Sequence, residues 1–388
     1  MIRKNIRFIS IVVLFWFAQY IFIPFFSPYL EIEEIAASIA GWIIGAYGLS
    51  QLILRIPFGI SADRIKSHKL FMLAGLICLS SAGVLLYFAR SPVALLTGRF
   101  LAGVAASTWV SFTVFFTNYF KKSETGRAVA TIMLANNFGT LLSYITGTFL
   151  FDQVGIRGLF LISAAAALIG AVLMAGIPEK QASDHQPMVL KDVILTIKNK
   201  NLLQVSFLMA LVQMILCATA LSFTANYAKE IGATNRQLGL MSVFLNSASV
   251  IVSFWLSSAA GQKISDRKKL TAALIFLGIS CFVVPNCTDI IGLYAAQIFS
   301  GLGRSITLSL TMAMALRDIL PQSKSTAMGI YQSVYSIGMT VGPIFMGSAL
   351  DLTGGYKLPF YLAGVFALLS ISWGFIVSKQ REGLSKPV

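Results

Sequence analysis

Acids, histidines and cysteines are scarce in this sequence. Across 388 residues there are 15 acids, two histidines and four cysteines, too few and too scattered to suggest a metal centre or an acid–base cluster. His68 and His185 fall between apolar runs and read as loop residues. Cys78, Cys217, Cys281 and Cys287 sit inside or at the end of such runs without paired spacing, so they read as small packing residues. No GxxxxGK[ST] loop occurs, which excludes ATP as the direct driver. Gly301-Leu302-Gly303 is followed by Ile306 where a dinucleotide fingerprint needs glycine. No enzyme activity, cofactor or metal is therefore expected. Charge of either sign is also thin, at 12% against about 25% in soluble proteins, and 56% of the chain is hydrophobic. That balance excludes a soluble globular protein.

What is present is a series of apolar runs. A membrane helix needs ~20 mostly apolar residues. Twelve runs qualify, near 8–30, 39–61, 70–89, 92–118, 129–151, 158–177, 202–228, 237–259, 270–288, 290–316, 326–350 and 357–378. The first follows Arg3, Lys4 and Arg7 as a secretory leader does, but it is too long and lacks a small-x-small cleavage site. It reads as a span.

The net charge of +15 raises the question of nucleic acid, which needs basic residues gathered on one solvated face. Here they gather in alternating connections instead. One set holds Arg3, Lys4, Arg7; Arg64, Lys66, Lys69; Lys121, Lys122, Arg127; Lys180, Lys191, Lys198, Lys200; Lys263, Arg267, Lys268, Lys269; Arg317, Lys324; and Lys379, Arg381, Lys386. The other set holds only Arg90, Arg157, Lys229, Arg236 and Lys357. The positive-inside rule then predicts both termini in the cytoplasm, with the lipid bilayer, not nucleic acid, as the partner of these cations. Three cations remain inside spans, Arg55, Arg99 and Arg304, while every acid lies in a loop or at a span end.

The polar stretch 178–201 leaves six runs on each side, which predicts a six-helix unit over 1–177, a cytoplasmic linker over 178–201 with a short amphipathic helix near Leu190 to Ile197, and a second unit over 202–388. Ala128, Gly139, Ile145, Asp152 and Gly155 recur 199 residues later as Ala327, Gly338, Ile344, Asp351 and Gly354. Gly103 and Ser107 recur as Gly301 and Ser305, and Asp63-Arg64 as Asp266-Arg267. Matches at nearly one offset on corresponding runs indicate duplicated halves, a transporter trait. The expected fold is an all-α polytopic membrane protein, twelve transmembrane helices in two pseudo-symmetric six-helix bundles.

Gly59-Ile60-Ser61-Ala62-Asp63-Arg64, followed by Lys66 and Lys69, resembles the loop 2–3 signature of the major facilitator superfamily, departing at Lys66-Ser67 where that family usually has Gly-Arg. Gly261 to Lys269 is a second copy with one extra residue. Arg99 to Gly103 resembles the family's RxxxG signature, and Gly342-Pro343 its glycine–proline motif, whose first-half counterpart here is Ser143-Tyr144. The resemblance implies alternating access to a cavity lined by the first, fourth, seventh and tenth spans. It also implies gating roles for Gly59, Asp63, Arg64, Asp266 and Arg267. Asp63 is positioned to bond the amino end of the eleventh span near Ser323 to Ser325. The missing first-half Gly-Pro speaks against a proton-coupled drug antiporter.

On the tenth span Gln297, Ser300, Arg304, Thr307 and Thr311 share one helix face, with Arg304 near mid-span. A mid-membrane arginine costs ~2.5–3.5 kcal/mol even on the lenient insertion scale and needs a partner. With no acid nearby, water, backbone carbonyls or an anionic solute must serve as that partner; the anionic solute is the favoured reading, and a structural arginine bonded to carbonyls or tyrosines is the alternative. Arg99, Gln213, Gln19 and Tyr331 complete the candidate lining, since long amides and phenols need partners in lipid. Arg55, nearer the cytoplasm, reads as an anchor able to snorkel. The row Ser242, Asn246, Ser249, Ser253 and Ser257 reads as helix packing. The expected function is secondary transport of a small organic solute, anionic in character, by a monomer in the plasma (inner) membrane, with a coupling proton or other ion open. Proton-coupled multidrug efflux is the alternative.

Overall fold

The computed structural model describes residues 2–117, 119–120, 125–179, 194, 196–317, 319 and 324–382. Most of the 178–201 stretch lies outside them; of the helix expected near Leu190 to Ile197, Ile194, Thr196 and Ile197 are described, and all three are helical. Among the described residues all regular structure is helical. Helix starts fall where the sequence supplies a side-chain oxygen. Ser67, Ser91 and Ser265 accept the N–H of Leu70, Ala94 and Lys268, and Thr234 with Gln237 forms a reciprocal capping box.

Ten helical runs are long and apolar enough to cross a membrane. One of them, Arg127–Ala175, is 49 residues long, enough for two crossings. It is the fifth and sixth spans joined without a conventional loop, and it turns at Gly155, where φ is 65°. No L side chain adopts that conformation readily. Gly354, its counterpart in the repeat, also has a positive φ, 66°, and separates the eleventh span (Lys324–Thr353) from the twelfth (Lys357–Glu382). The tenth span, Ile290–Arg317, is long enough to cross but is not among the ten, because its polar face lowers its hydropathy. Twelve crossings result, as the sequence predicts.

Three spans are interrupted. The first consists of Ile2–Tyr20 and Ile23–Ile32, with Pro24 in the opening turn of the second piece. The fourth consists of Pro92–Ser107 and Trp109–Thr117. The seventh runs from Lys200 to Ala218, widens into a π turn over Thr219–Phe223 and ends as Thr224–Glu230. The break after Tyr20 and the π turn beginning at Thr219 fall at the same register of the repeat.

The two bundles meet where the second span (Ala37–Ile65) packs on the eleventh and the eighth (Asn235–Ser257) on the fifth. Backbones touch there: a Cβ added to Gly347 would lie 2.0 Å from the Ala37 oxygen. The Asp351 carboxylate accepts the N–H groups of Ala37 and Ser38 at 3.1 and 2.9 Å, an anion placed on a helix amino end. Its repeat counterpart Asp152 accepts Asn235 Nδ2 at 3.2 Å. Asn226 Nδ2 donates to the Ser27 oxygen at 3.3 Å and to Glu31 Oε2 at 2.6 Å. These contacts tie the bundles together at the end of the molecule away from the termini.

Candidate functional site

A cavity lies between the bundles at the level of the helix breaks. Its walls include Gln19, Tyr20 and Phe26 of the first span, Tyr47 of the second, Arg99 of the fourth, Cys217 and Ser222 of the seventh and Met339 of the eleventh. The empty volume, open side included, is ≈ 610 Å³.

Arg99 is 5% exposed and is caged by rings. Its guanidinium carbon lies 4.8 Å from the ring centroid of Tyr47, 5.4 Å from Phe26 and 5.8 Å from Phe22. Each such contact contributes ~0.5–2 kcal/mol. Three together match the ~2.5–3.5 kcal/mol that a central arginine costs on the insertion scale. The cage holds the charge without a carboxylate, and Arg99 Nε and Nη1 remain buried without a hydrogen-bond partner.

Arg304, near the midpoint of its helix, is half-buried, and its Nη1 is enclosed and unpartnered. Among the described residues no ring stacks on it. It lies within electrostatic range of Tyr20, Tyr144 and Cys217. Arg99 is within the same range of Tyr20 and Cys217, and of the two arginines it is Arg99 that lines the cavity.

Two glutamines brace the walls. Gln19 Nε2 donates to the Ala102 oxygen at 3.0 Å, tying the first span to the fourth. Gln297 Nε2 donates to the Ala220 oxygen at 3.1 Å, tying the tenth span to the π turn of the seventh. A π turn leaves backbone carbonyls out of the helical ladder, and this amide takes one up. Each glutamine keeps a buried, unpartnered Oε1.

The remaining candidates are more dispersed. Gln213 has a buried, unpartnered Oε1 but does not line the cavity. Thr307 is fully buried with an unpartnered hydroxyl, while Tyr331 and Thr311 share a 2.7 Å hydrogen bond inside the second bundle. Arg55 does not snorkel: it is 3% exposed, bonded to Gln51 and to the Tyr335 hydroxyl at 3.3 Å, so it links the two bundles. The serine row packs helices. Ser249 donates to the Gly301 oxygen at 3.0 Å, and Ser253 pairs with Ser305 at 2.9 Å.

At the other end, Asp63 Oδ1 lies 3.4 Å from His68 Nε2, whose Nδ1 is 3.5 Å from Ser111 Oγ. His68 is therefore not a loop residue as its sequence position suggests. It opens the third span (His68–Phe88) and is buried. Gly59 is buried and Arg64 exposed. Asp266 pairs with Lys269 Nζ at 2.9 Å, and the Arg267 guanidinium lies 4.7 Å from the Phe375 ring. Ser323 and the Ser325 side chain, the expected partners of Asp63, lie outside the described residues.

Sequence reasoning missed the cage. Phe22 and Phe26, spaced four apart around Pro24, share a helix face; that spacing was the available signal. The π turn carried none.

The Major Facilitator Superfamily model matches residues 8–285 and, again, 205–388. The chain belongs to the major facilitator superfamily. It is 24% identical over 373 residues to the multidrug resistance protein MdtG of Proteus mirabilis, covering 93% of this chain and 92% of that one. It is 22% identical over 392 residues to the proton-coupled antiporter flippase LtaA of Staphylococcus haemolyticus, covering 98% and 96%. Its fold matches the crystal structure of the POT family transporter PepTSo with a TM-score of 0.80 over 99% of both chains at 13% identity. This major facilitator is an integral membrane protein of the secondary transporter class, a transporter rather than an enzyme.

Proposed function

We propose that this transporter carries a small organic anion with an apolar body across the plasma membrane by alternating access of the central cavity. One observation supports this above the others: Arg99 lines the cavity, Arg304 shares its electrostatic neighbours Tyr20 and Cys217, both keep unpartnered donors, and every acid in the sequence lies in a loop or at a span end. An anionic head neutralises the pair, while Ile23, Ile44, Leu221 and Met339 accommodate an apolar body. Gln19, Gln297, Thr307, Gln213 and Tyr331 shape or brace the path. Gly59, Asp63, Arg64, Asp266 and Arg267 form the gating turns. The proposal includes a monomer with both termini cytoplasmic, bundles over 1–177 and 202–388, and a linker between them.

The test is a ligand-panel thermal-shift screen followed by counterflow uptake in proteoliposomes. Arg304→Gln is expected to lower uptake of the anionic hits ten- to a hundredfold at unchanged expression, and Arg304→Lys to retain more of it. Equal uptake by Arg304→Gln and the parent protein overturns the anion reading.

Proton-coupled efflux is the second reading, favoured by the similarity to the multidrug resistance protein MdtG and the proton-coupled antiporter flippase LtaA. A proton site then has to use an acid at a span end. Glu31, bonded across the bundles to Asn226, is the strongest candidate. Uptake that follows an imposed pH gradient, and loses that dependence in Glu31→Gln, supports this reading over the first.

A further inference from the structure

Two helix pieces meet across the bundles at the end away from the termini, Ile23–Ile32 of the first span and Thr224–Glu230 of the seventh. There one atom bridges two oxygens: Asn226 Nδ2 donates to the Ser27 backbone oxygen at 3.3 Å and to Glu31 Oε2 at 2.6 Å. The same contact leaves two oxygens with nothing to accept. Asn226 Oδ1 and Ser27 Oγ are enclosed and have no partner, in residues that are 5% and 2% exposed. Buried polar atoms in native proteins are nearly always satisfied, so orphan oxygens beside a carboxylate mark a place for a donor or an ion from outside.

The charges narrow the choice. Among the described residues no cation pairs with Glu31. It lies in the last turn of its helix, which holds no basic residue and adds the negative end of the backbone dipole. Glu230 lies one turn beyond Asn226 on the same helix, and Tyr356 is within electrostatic range of both acids. The place is negative and rich in oxygen, which suits a hard cation. Among the described residues no three His, Cys, Asp or Glu gather as metal ligands, but a hard monovalent ion needs no such cluster. One carboxylate with neutral oxygens balances a single positive charge. The N–H groups of Asn226 already hold together the oxygens that an ion would hold. Half a turn about the terminal bond exchanges Nδ2 and Oδ1, groups of similar size, and sets a carbonyl beside the Ser27 and Glu31 oxygens.

We propose that Ser27, Glu31 and Asn226 form a binding site for a monovalent metal cation of the sodium type, bridging the two bundles beside the cavity. Its ligands are the Ser27 hydroxyl and carbonyl, a Glu31 carboxylate oxygen and the turned Asn226 carbonyl. Glu31 is exposed, so the ion enters from the solution at that end, and Ser27 lines the central cavity, which sets the ion next to the transported solute. Because the ligands come from both bundles, the bound ion holds this end shut and its release lets the end part. The site is independent of the anion reading given above.

Thermal unfolding of the purified full chain tests it at fixed pH and without solute, in sodium, potassium or N-methylglucamine chloride at one ionic strength. Sodium is expected to raise Tm saturably, by about 1–2 °C at tenfold excess over half-saturation, and potassium to need about tenfold more. Ser27→Ala and Glu31→Gln, which remove a hydroxyl and a charge, are each expected to raise the half-saturating sodium concentration about tenfold. Asn226→Asp replaces the donor with a second oxygen and repels Glu31. It is expected to unfold earlier than the parent without sodium and to gain more from sodium. Equal Tm of the parent in all three salts overturns the site, and is also what a proton alone at Glu31 would give. A sodium effect unchanged in both Ser27→Ala and Glu31→Gln overturns it too. So does an Asn226→Asp loss that is the same in every salt, which would mark a structural hydrogen bond.

Discussion

Arg99 in the first bundle and Arg304 in the second lie on repeat-related spans and share the electrostatic neighbours Tyr20 and Cys217, yet their surroundings are unlike. Arg99 has three aromatic faces within 6 Å. Arg304 has no ring stacked on it among the described residues, and its enclosed Nη1, like Nε and Nη1 of Arg99, has no hydrogen-bond partner. Physically, the first charge is stabilised whether or not the cavity is filled. The second depends on water or on cargo. A duplicated scaffold has thus produced one permanently housed cation and one whose comfort varies with occupancy.

The largest test of this asymmetry is a pair of neutralisations. Arg304→Gln is expected to lower kcat/KM for an anionic substrate ten- to a hundredfold, in line with loss of a charged hydrogen bond worth ~1.5–3 kcal/mol, with little change in Tm. Arg99→Gln is expected to lower Tm as well, because its cage is left packed around a smaller neutral group. Identical Tm and kinetic losses in the two variants would break the comparison.

A smaller effect sharpens the cage. Phe26→Leu and Tyr47→Leu are each expected to lower Tm by about 1 °C, for ~1 kcal/mol in a chain of this size. In an Arg99→Met background the two losses are expected to shrink, and a full double-mutant cycle measures the difference. Additive losses would show that the rings pack without sensing the charge.

The two glutamine braces offer a symmetric control. Gln19→Leu and Gln297→Leu each remove one hydrogen bond to a neighbouring span, and each is expected to raise KM about fivefold. Strongly unequal losses in counterflow assays would extend the asymmetry from the cations to the walls.

The smallest expected effect lies at the contact between the bundles. Asp351→Asn removes a negative charge from the amino end of the second span, a contribution of ~0.3–1 kcal/mol. Labelling of a cysteine placed at Ser38 is expected to rise about twofold to fourfold. Unchanged labelling would mean that helix packing alone closes this end.

Most of the scaffold was legible because it rests on local rules. Twelve apolar runs, Gly155 matched by Gly354 and Asp152 matched by Asp351 can all be read along the chain, and each has its structural counterpart. The polar face of the tenth span was legible for the same reason, since periodicity reports a helix's own sides. The cage was not, because Phe22, Phe26 and Tyr47 meet Arg99 from two other spans. Arg55 was misjudged on similar grounds. Its depth suggested snorkelling, but Tyr335, 280 residues away, supplies the partner. His68 was read as a loop residue because only the fold places it between Asp63 and Ser111.

One contact carries a trace of descent. Asn226 donates to the backbone of Ser27, 199 residues earlier, the same interval that relates Asp152 to Asp351. A residue that touches its own counterpart lies on the axis relating the two halves, as in the self-complementary contact of a two-fold dimer. The contact itself is one-sided: Asn226 donates with its side chain while Ser27 accepts with its backbone carbonyl, so repeat-related positions on this axis carry different halves of one hydrogen bond.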